Sequence, residues 1–255
     1  MIQFQKLGEH AGLITIDNPP ANALGRTARE AFHARLDALE VDGAIRALII
    51  TGKGRAFCSG DDLKEQEAAQ AHGADARKAQ LAEFSGLIDR IEALRIPTVA
   101  AVNGFCLGGG LELALSCDIR IASTQASFVC AGVNVGLMAS VYRLPRLIGV
   151  ARAKHMLLTG LPMDAEAAER FGIATAVYEP EILLAEAETL ALRIASRAPL
   201  SVEASKRMAS RAPALSPQEA AAATGVEMAT LVTSADHAEA LAAFREKRVP
   251  VFKRK

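Results

Sequence analysis

Short apolar runs alternate with longer amphipathic segments from the start of the chain to about Pro180. Runs typical of buried strands lie at residues 12–16, 47–51, 98–102, 118–122 and 174–177. Segments with apolar residues every three or four positions, typical of helices, lie at residues 28–40, 76–94, 110–116 and 150–158. Strands that alternate with helices favour right-handed βαβ units and an α/β fold.

The pattern changes beyond Pro180, where only helical spacing remains. Leu183, Ala187 and Leu190 follow this spacing, and prolines at 199, 213 and 217 interrupt it. A short alanine-rich helical tail buries little apolar surface by itself, so it needs another surface to lie on. We therefore expect two regions, a core over residues 1–195 and a C-terminal helical region over residues 196–255.

The segment NGFCLGGGLELAL at residues 103–115 carries the first chemical signal. Its three consecutive glycines permit close approach to a ligand, and the following run favours a helix. The first N–H groups of a helix lack internal partners and carry the positive end of its dipole. Gly109 and Glu112 are three apart and share a helix face. This segment predicts an oxyanion donor beside a possible base, although a plain packing turn with a dipole-complementing Glu has the same letters.

A second glycine-punctuated loop, TGKGRAFCSGDDLKE at residues 51–65, follows the apolar run at residues 47–50. It predicts a strand that leads into a loop and then a helix. Two such units with loops at one sheet end bring two backbone N–H groups to one carbonyl oxygen. Neither loop has the GxGxxG spacing of dinucleotide folds or the order of a P-loop, which disfavours a nucleotide-binding module.

These two segments make the chain resemble the crotonase superfamily, also called the enoyl-CoA hydratase/isomerase family. Further matches are NPPANAL at 18–24, RLPRLIG at 143–149 and AFREKRVPVF at 243–252, so the resemblance covers nearly the whole chain. The resemblance implies an α/β fold in which ββα units wind into a superhelix. It also implies a C-terminal helical trimerisation region that lies on neighbouring subunits, in a homotrimer or in a hexamer made of two trimers.

The resemblance also implies roles for residues in acyl-CoA chemistry. The N–H groups of Asp61 and Gly109 would form the oxyanion hole for a coenzyme A thioester, and Glu112 would be the catalytic acid/base. A solvent-facing Glu at the helix start is the alternative for Glu112. The expected substrate-binding residues are Ala23, Asp62, Leu63, Lys64 and Gly108, with Phe244 and Lys247 contributed to an adjoining subunit.

One departure from the family pattern bears on the reaction. Gly132 stands where hydratases and many isomerases have a second glutamate, and the stretch before Arg143 is shortened. Hydration by Glu112 alone, double-bond migration, thioester hydrolysis, decarboxylation, C–C cleavage and acyl-CoA binding with little catalysis all remain open. The candidate assisting polar residues, each more typical of a structural role, are Asp62, Glu65, Glu67, His72, Asn134, Ser140 and Tyr142.

Composition and charge limit the kinds of partner and cofactor that we expect. The 255 residues are 51% hydrophobic and 23% charged, as expected for a globular domain, with 29 basic and 29 acidic residues. This balance gives no sign of a nucleic-acid surface, and no apolar run reaches the length of a membrane span. Four cysteines without CxxC spacing indicate reduced thiols in a cytoplasmic protein. The five histidines show no metal spacing, so we expect no permanent cofactor, with coenzyme A present only as part of the substrate.

Overall fold

The computed structural model describes every residue from Met1 to Lys255. The strands are β1 Ile2–Leu7, β2 Ala11–Ile16, β3 Ala47–Gly52, β4 Ala56–Cys58, β5 Thr98–Val102, β6 Phe105–Leu107, β7 Ile119–Ser123, β8 Ser127–Val129, β9 Met163–Asp164 and β10 Ala176–Tyr178. The helices are α1 Arg26–Val41, α2 Leu63–Ala71, α3 Ala74–Glu92, α4 Gly109–Ser116, α5 Arg143–Ile148, α6 Val150–Thr159, α7 Ala165–Phe171, α8 Pro180–Ala195, α9 Pro199–Arg211, α10 Pro217–Val232 and α11 Ala235–Glu246.

The strands form two sheets that share a repeated connection. A six-stranded sheet has the order β1-β2-β3-β5-β7-β10, and a four-stranded sheet has the order β4-β6-β8-β9. Each of the pairs β3/β4, β5/β6 and β7/β8 places its first strand in the large sheet and its second in the small one. Helices α2 and α4 and a 3₁₀ helix at Ala131–Val135 follow these pairs. The predicted α/β superhelix of ββα units is therefore confirmed.

The main core lies between the sheets and the helices of the superhelix. It contains the fully buried Phe32, Phe57 and Phe128. A smaller cluster on the other face of the large sheet packs β3 and β5 against α8. Strand β3 is buried at every position because both of its faces are covered, which explains its continuous apolar run.

The five predicted strands and four predicted helices are all present, with ends displaced by at most two residues. Strands β4, β6, β8 and β9 and helices α5 and α7 were not predicted, because two to seven residues are too few to show a period. Strand β1 was also missed. It is an edge strand paired only with β2, and it exposes much of its length, so its apolar signal is weak.

The C-terminal region contains helices α9, α10 and α11 and no strand, as predicted, and residues 247–255 follow without regular secondary structure. Helix α10 has no buried residue, whereas the chain end is fastened to the body. The Phe252 carbonyl accepts a hydrogen bond from Arg46 Nη2, just before β3, at 2.8 Å. Within the C-terminal region, the Asp236 carboxylate of α11 accepts from the N–H groups of Lys253 and Arg254 at 2.7 and 2.9 Å. No helix combines the length and the apolar character needed to cross a membrane.

Candidate active site

A cavity of about 990 Å³ opens where the loop after β4, the helices α2 and α3, the start of α4 and residues 131–143 meet. The structure brings most of the predicted site residues to its lining: Ala23, Asp61, Asp62, Leu63, Lys64, Gly108, Gly109 and Glu112. Phe244 and Lys247 are absent from this lining. They lie at the end of α11, where Phe244 is 85% exposed.

The two glycine loops meet at the wall of the cavity. Gly60 has a φ of +92°, and a Cβ added to it would lie 2.6 Å from the Gly109 nitrogen, so the contact requires a residue without a side chain. The Asp61 N–H donates to no protein acceptor. Gly109 is the first residue of α4, so its N–H has no partner within the helix. Two unpaired N–H donors therefore lie on adjoining backbone segments.

Glu112 is held by residues of a distant segment. Its Oε1 accepts a hydrogen bond from the Ser140 N–H, and its Oε2 lies 3.1 Å from Arg143 Nη1. Arg143 also contacts Asp89 at 2.7 Å and Glu92 at 2.6 Å. The Glu112 side chain is only 16% exposed, so it does not face bulk solvent as the alternative interpretation required. Its carboxylate is oriented from both oxygens.

The segment that holds Glu112 also occupies the space beside Gly132. A Cβ built on Gly132 would lie 2.9 Å from the Leu137 oxygen and 3.0 Å from the Ala139 nitrogen. The Leu137 N–H donates to the Gly132 carbonyl at 2.8 Å, which fixes the two backbones together. Residue 132 therefore has no room for a glutamate side chain in this arrangement.

The Asp61 carboxylate is buried, with 7% of its side chain exposed, and it faces Arg29 of α1 at 2.8 Å. It also accepts hydrogen bonds from Gln66 at 3.1 Å, from Gln80 and from the N–H of Asp62. Burial raises the pKa of the Asp61 carboxyl, and the charge of Arg29 opposes this shift. Next along the chain, Asp62 caps α2 by accepting from the Lys64 N–H at 2.8 Å.

Four residues that contact Asp61 or Glu112 had no role assigned from the sequence: Arg29, Gln66, Gln80 and Arg143. Arg143 belongs to the RLPRLIG segment, but its partners on α3 and α4 are remote in sequence. Arg29 did leave a signal, because it lies three and seven positions before Phe32 and Leu36 on the apolar face of α1. An arginine on such a face needs a buried partner.

The four cysteines are buried free thiols. Burial raises the pKa of Cys58, Cys117 and Cys130 to about 12, and that of Cys106 is raised as well. Such thiols are poor nucleophiles at neutral pH. No group of three or more His, Cys, Asp or Glu side chains is arranged to hold a metal ion.

A superhelix of ββα units whose glycine loops converge on one cavity defines a crotonase-like fold. A family model described as Enoyl-CoA hydratase/isomerase matches residues 8–255, and the chain belongs to that family of lyases and isomerases. The chain is 37% identical over 246 residues to a probable enoyl-CoA hydratase of Rhizobium meliloti, covering 95% of this chain and 94% of that protein. It is 34% identical over 250 residues to a short-chain-enoyl-CoA hydratase of Clostridium acetobutylicum, covering 96% and 94% respectively. The crystal structure of enoyl-CoA hydratase from Bacillus anthracis superposes with a TM-score of 0.95 at 30% identity, covering 100% of this chain and 99% of that chain.

Proposed function

We propose that this enzyme processes acyl-CoA thioesters through an enolate held between the N–H groups of Asp61 and Gly109, with Glu112 as the acid/base group. The proposal is carried by the approach of the two glycine loops, since an added Gly60 Cβ would lie 2.6 Å from the Gly109 nitrogen. Fixed N–H donors at a carbonyl oxygen favour the state in which that oxygen becomes negative. The α-carbon of a thioester bound there is acidified.

In this proposal Glu112 moves a proton at that carbon. Its two oxygens offer about four lone-pair sites, of which Ser140 and Arg143 use two. When Glu112 removes a substrate proton, the electron pair moves onto the thioester oxygen. The protonated Glu112 then returns the proton to a carbon of the acyl chain. A positioned general base of this kind contributes roughly 10²- to 10⁴-fold in rate.

Hydration of a 2-enoyl-CoA is the reaction that the relatives' names support. Glu112 takes a proton from water, the resulting hydroxide bonds to the β-carbon, and the same proton is delivered to the α-carbon. Gly132 favours a second candidate, a reaction that needs only one base, such as double-bond migration, thioester hydrolysis or decarboxylation. An acyl-CoA binder with little catalysis would have no use for a carboxylate oriented as Glu112 is.

The test is to incubate the protein with saturated, 2-enoyl, 3-enoyl and malonyl-type CoA thioesters and to analyse the products by mass and chromatography. Gain of water, an isomer of equal mass, free CoA and loss of carbon dioxide separate the reactions. Glu112→Gln should abolish turnover and leave thioester affinity nearly intact. Glu67→Gln, the same change at an exposed residue of α2 outside the cavity, is the matched control and should keep wild-type turnover. Unchanged turnover in Glu112→Gln would refute the assignment.

We also propose that the protein assembles as a homotrimer or as a dimer of trimers. Helix α10 has no buried residue and exposes Val226, Met228 and Val232, an apolar set that a neighbouring subunit would cover. Phe244 and Lys247 would then reach the coenzyme A of an adjoining subunit. Sedimentation velocity measures the assembly state, and a monomer at micromolar concentration would contradict this proposal.

A further inference from the structure

The Asp61 residue has two parts with separate surroundings. Its N–H is unpaired at the cavity, whereas its carboxylate is engaged with three helices. Arg29 comes from α1, Gln66 from α2 and Gln80 from α3, and their contacts with the carboxylate are 2.8, 3.1 and 3.1 Å. Binding of a thioester oxygen by the N–H requires none of these side-chain contacts. The carboxylate network therefore needs a separate explanation.

A closed ring of hydrogen bonds surrounds the peptide unit that carries this N–H. The peptide joins the Gly60 carbonyl to the Asp61 nitrogen, and the carbonyl accepts from the Leu24 N–H at 2.7 Å. The Leu24 carbonyl accepts from Arg29 Nη1 at 2.8 Å, and the same Nη1 donates to Asp61 Oδ1 at 2.8 Å. Because the peptide unit is planar, hydrogen bonds that fix the Gly60 carbonyl and the Asp61 side chain also fix the direction of the Asp61 N–H.

The charges in the ring also match the chemistry. A buried carboxylate next to a developing oxyanion would raise the energy of the enolate unless a cation neutralised it. Arg29 is that cation, with only 3% of its side chain exposed. Arg29 Nη2 also lies 3.3 Å from the Glu83 carboxylate and 3.6 Å from the Glu65 carboxylate, and both of these are more exposed than that of Asp61.

We propose that Arg29 and the Asp61 carboxylate are a positioning pair that aims the Asp61 N–H at the thioester oxygen without touching the substrate. This inference rests on the proposed function and assigns to the Asp61 side chain a role that the oxyanion hole itself does not require. The pair acts through the Gly60–Asp61 peptide and the Leu24 backbone. Its loss should therefore affect the enolate much more than it affects binding of the thioester.

Three variants separate positioning from stability. Asp61→Ala removes the carboxylate that pairs with Arg29, and with it the clamp that this pair forms on the Gly60–Asp61 peptide. It leaves Arg29 buried without the carboxylate nearest to it. Asp61→Asn keeps an oxygen that accepts from Arg29 and should retain most of the activity. The double variant Arg29→Met with Asp61→Ala removes both charges, so it recovers stability relative to Asp61→Ala but leaves the peptide unclamped. Asp75→Ala, at an exposed residue of α3 paired only with Lys78, is the control that should behave as wild type.

The first measurement is exchange of the α-protons of a saturated acyl-CoA for deuterium, together with the Kd of the same thioester. We expect Asp61→Ala and the double variant to lose on the order of 100-fold in exchange rate, as a misaimed catalytic group does, with Kd changed less than about threefold. Wild-type exchange in either variant, or recovery of exchange in the double variant, would overturn the proposal.

The second measurement is backbone hydrogen exchange at the Leu24 N–H, which reads the clamp without any substrate. Protection at Leu24 should fall in Asp61→Ala and in the double variant, and should persist in Asp61→Asn. Unchanged protection in Asp61→Ala refutes the pair even if that variant is destabilised elsewhere. Absence of Glu112-dependent proton exchange in the wild type would instead refute the proposed function, so the two failures are distinguishable.

Discussion

Substitutions of Gly132 test whether the backbone packing at this residue excludes a second carboxylate from the site. The Cβ of an alanine or a glutamate there would lie 2.9 Å from the Leu137 oxygen, 3.0 Å from the Ala139 nitrogen and 3.1 Å from the Met138 carbonyl carbon. All three atoms belong to backbone, so no side-chain rotation relieves the contact. Overpacking of this kind costs roughly 1–3 kcal/mol. In a chain of this size each kcal/mol lowers Tm by about 2–4 °C.

Gly132→Glu should therefore destabilise the protein and should not produce a more active hydratase. Displacement of residues 137–139 also moves the adjoining Ser140, whose N–H holds Glu112. We expect turnover to fall with Gly132→Ala as well, because its Cβ alone meets the same atoms. Thermal unfolding at one fixed protein concentration and turnover of the best thioester measure the two effects.

The matched control is Gly43→Ala, since a Cβ on Gly43 would have no neighbour within 4 Å. It should leave Tm and turnover unchanged or slightly increase Tm. The reasoning is refuted if Gly132→Ala has the Tm of Gly43→Ala. It is equally refuted if Gly132→Glu hydrates 2-enoyl-CoA faster than the wild type does.

Three further results are expected. Asp62→Ala should lower the free energy of unfolding by about 1 kcal/mol through loss of the α2 cap, and it should lower Tm and weaken acyl-CoA binding. Asp62→Asn keeps the capping oxygen and should have neither effect. Equal Tm values for the two variants would contradict the role of Asp62 as the cap. The thiols with a pKa near 12 should resist an alkylating reagent at pH 9.0 in the native protein and react after denaturation. Because their pKa is higher in the folded than in the unfolded state, the free energy of unfolding should decrease as pH rises from about 9 to 12. Rapid native labelling would show that the thiols are accessible.

The fold was largely predictable because its main elements are long enough to show periodicity. Helix α1 repeats its buried positions over several turns, and strand β3 is a continuous apolar run, so both are recognised from the sequence. The small sheet was not predictable in this way, since its strands have two or three residues each. The resemblance to a family supplied the repeated ββα connection that periodicity alone could not supply.

The site was predictable where glycine and sequence spacing determine it. Gly109 and Glu112 are three residues apart on one helix, so their common direction follows from the sequence. The partners of Glu112 could not be predicted, because the Ser140 N–H and Arg143 reach it from about thirty residues away through a segment without regular spacing. The Arg29–Asp61 contact has the same origin in tertiary structure, although the arginine on an apolar helix face was a usable signal.

These long-range contacts determine what Glu112 can do. A carboxylate that accepts from Ser140 and Arg143 keeps one orientation, so a proton moved by Glu112 under the proposed function lies on the side that the two donors leave open. Gly132 permits the close backbone approach that places Ser140 there, and a residue with a Cβ would prevent it. The glycine at residue 132 and the fixed orientation of Glu112 therefore belong to one packing arrangement. Under the proposed function, Glu112 therefore moves protons at atoms directly next to the Asp61 and Gly109 N–H groups.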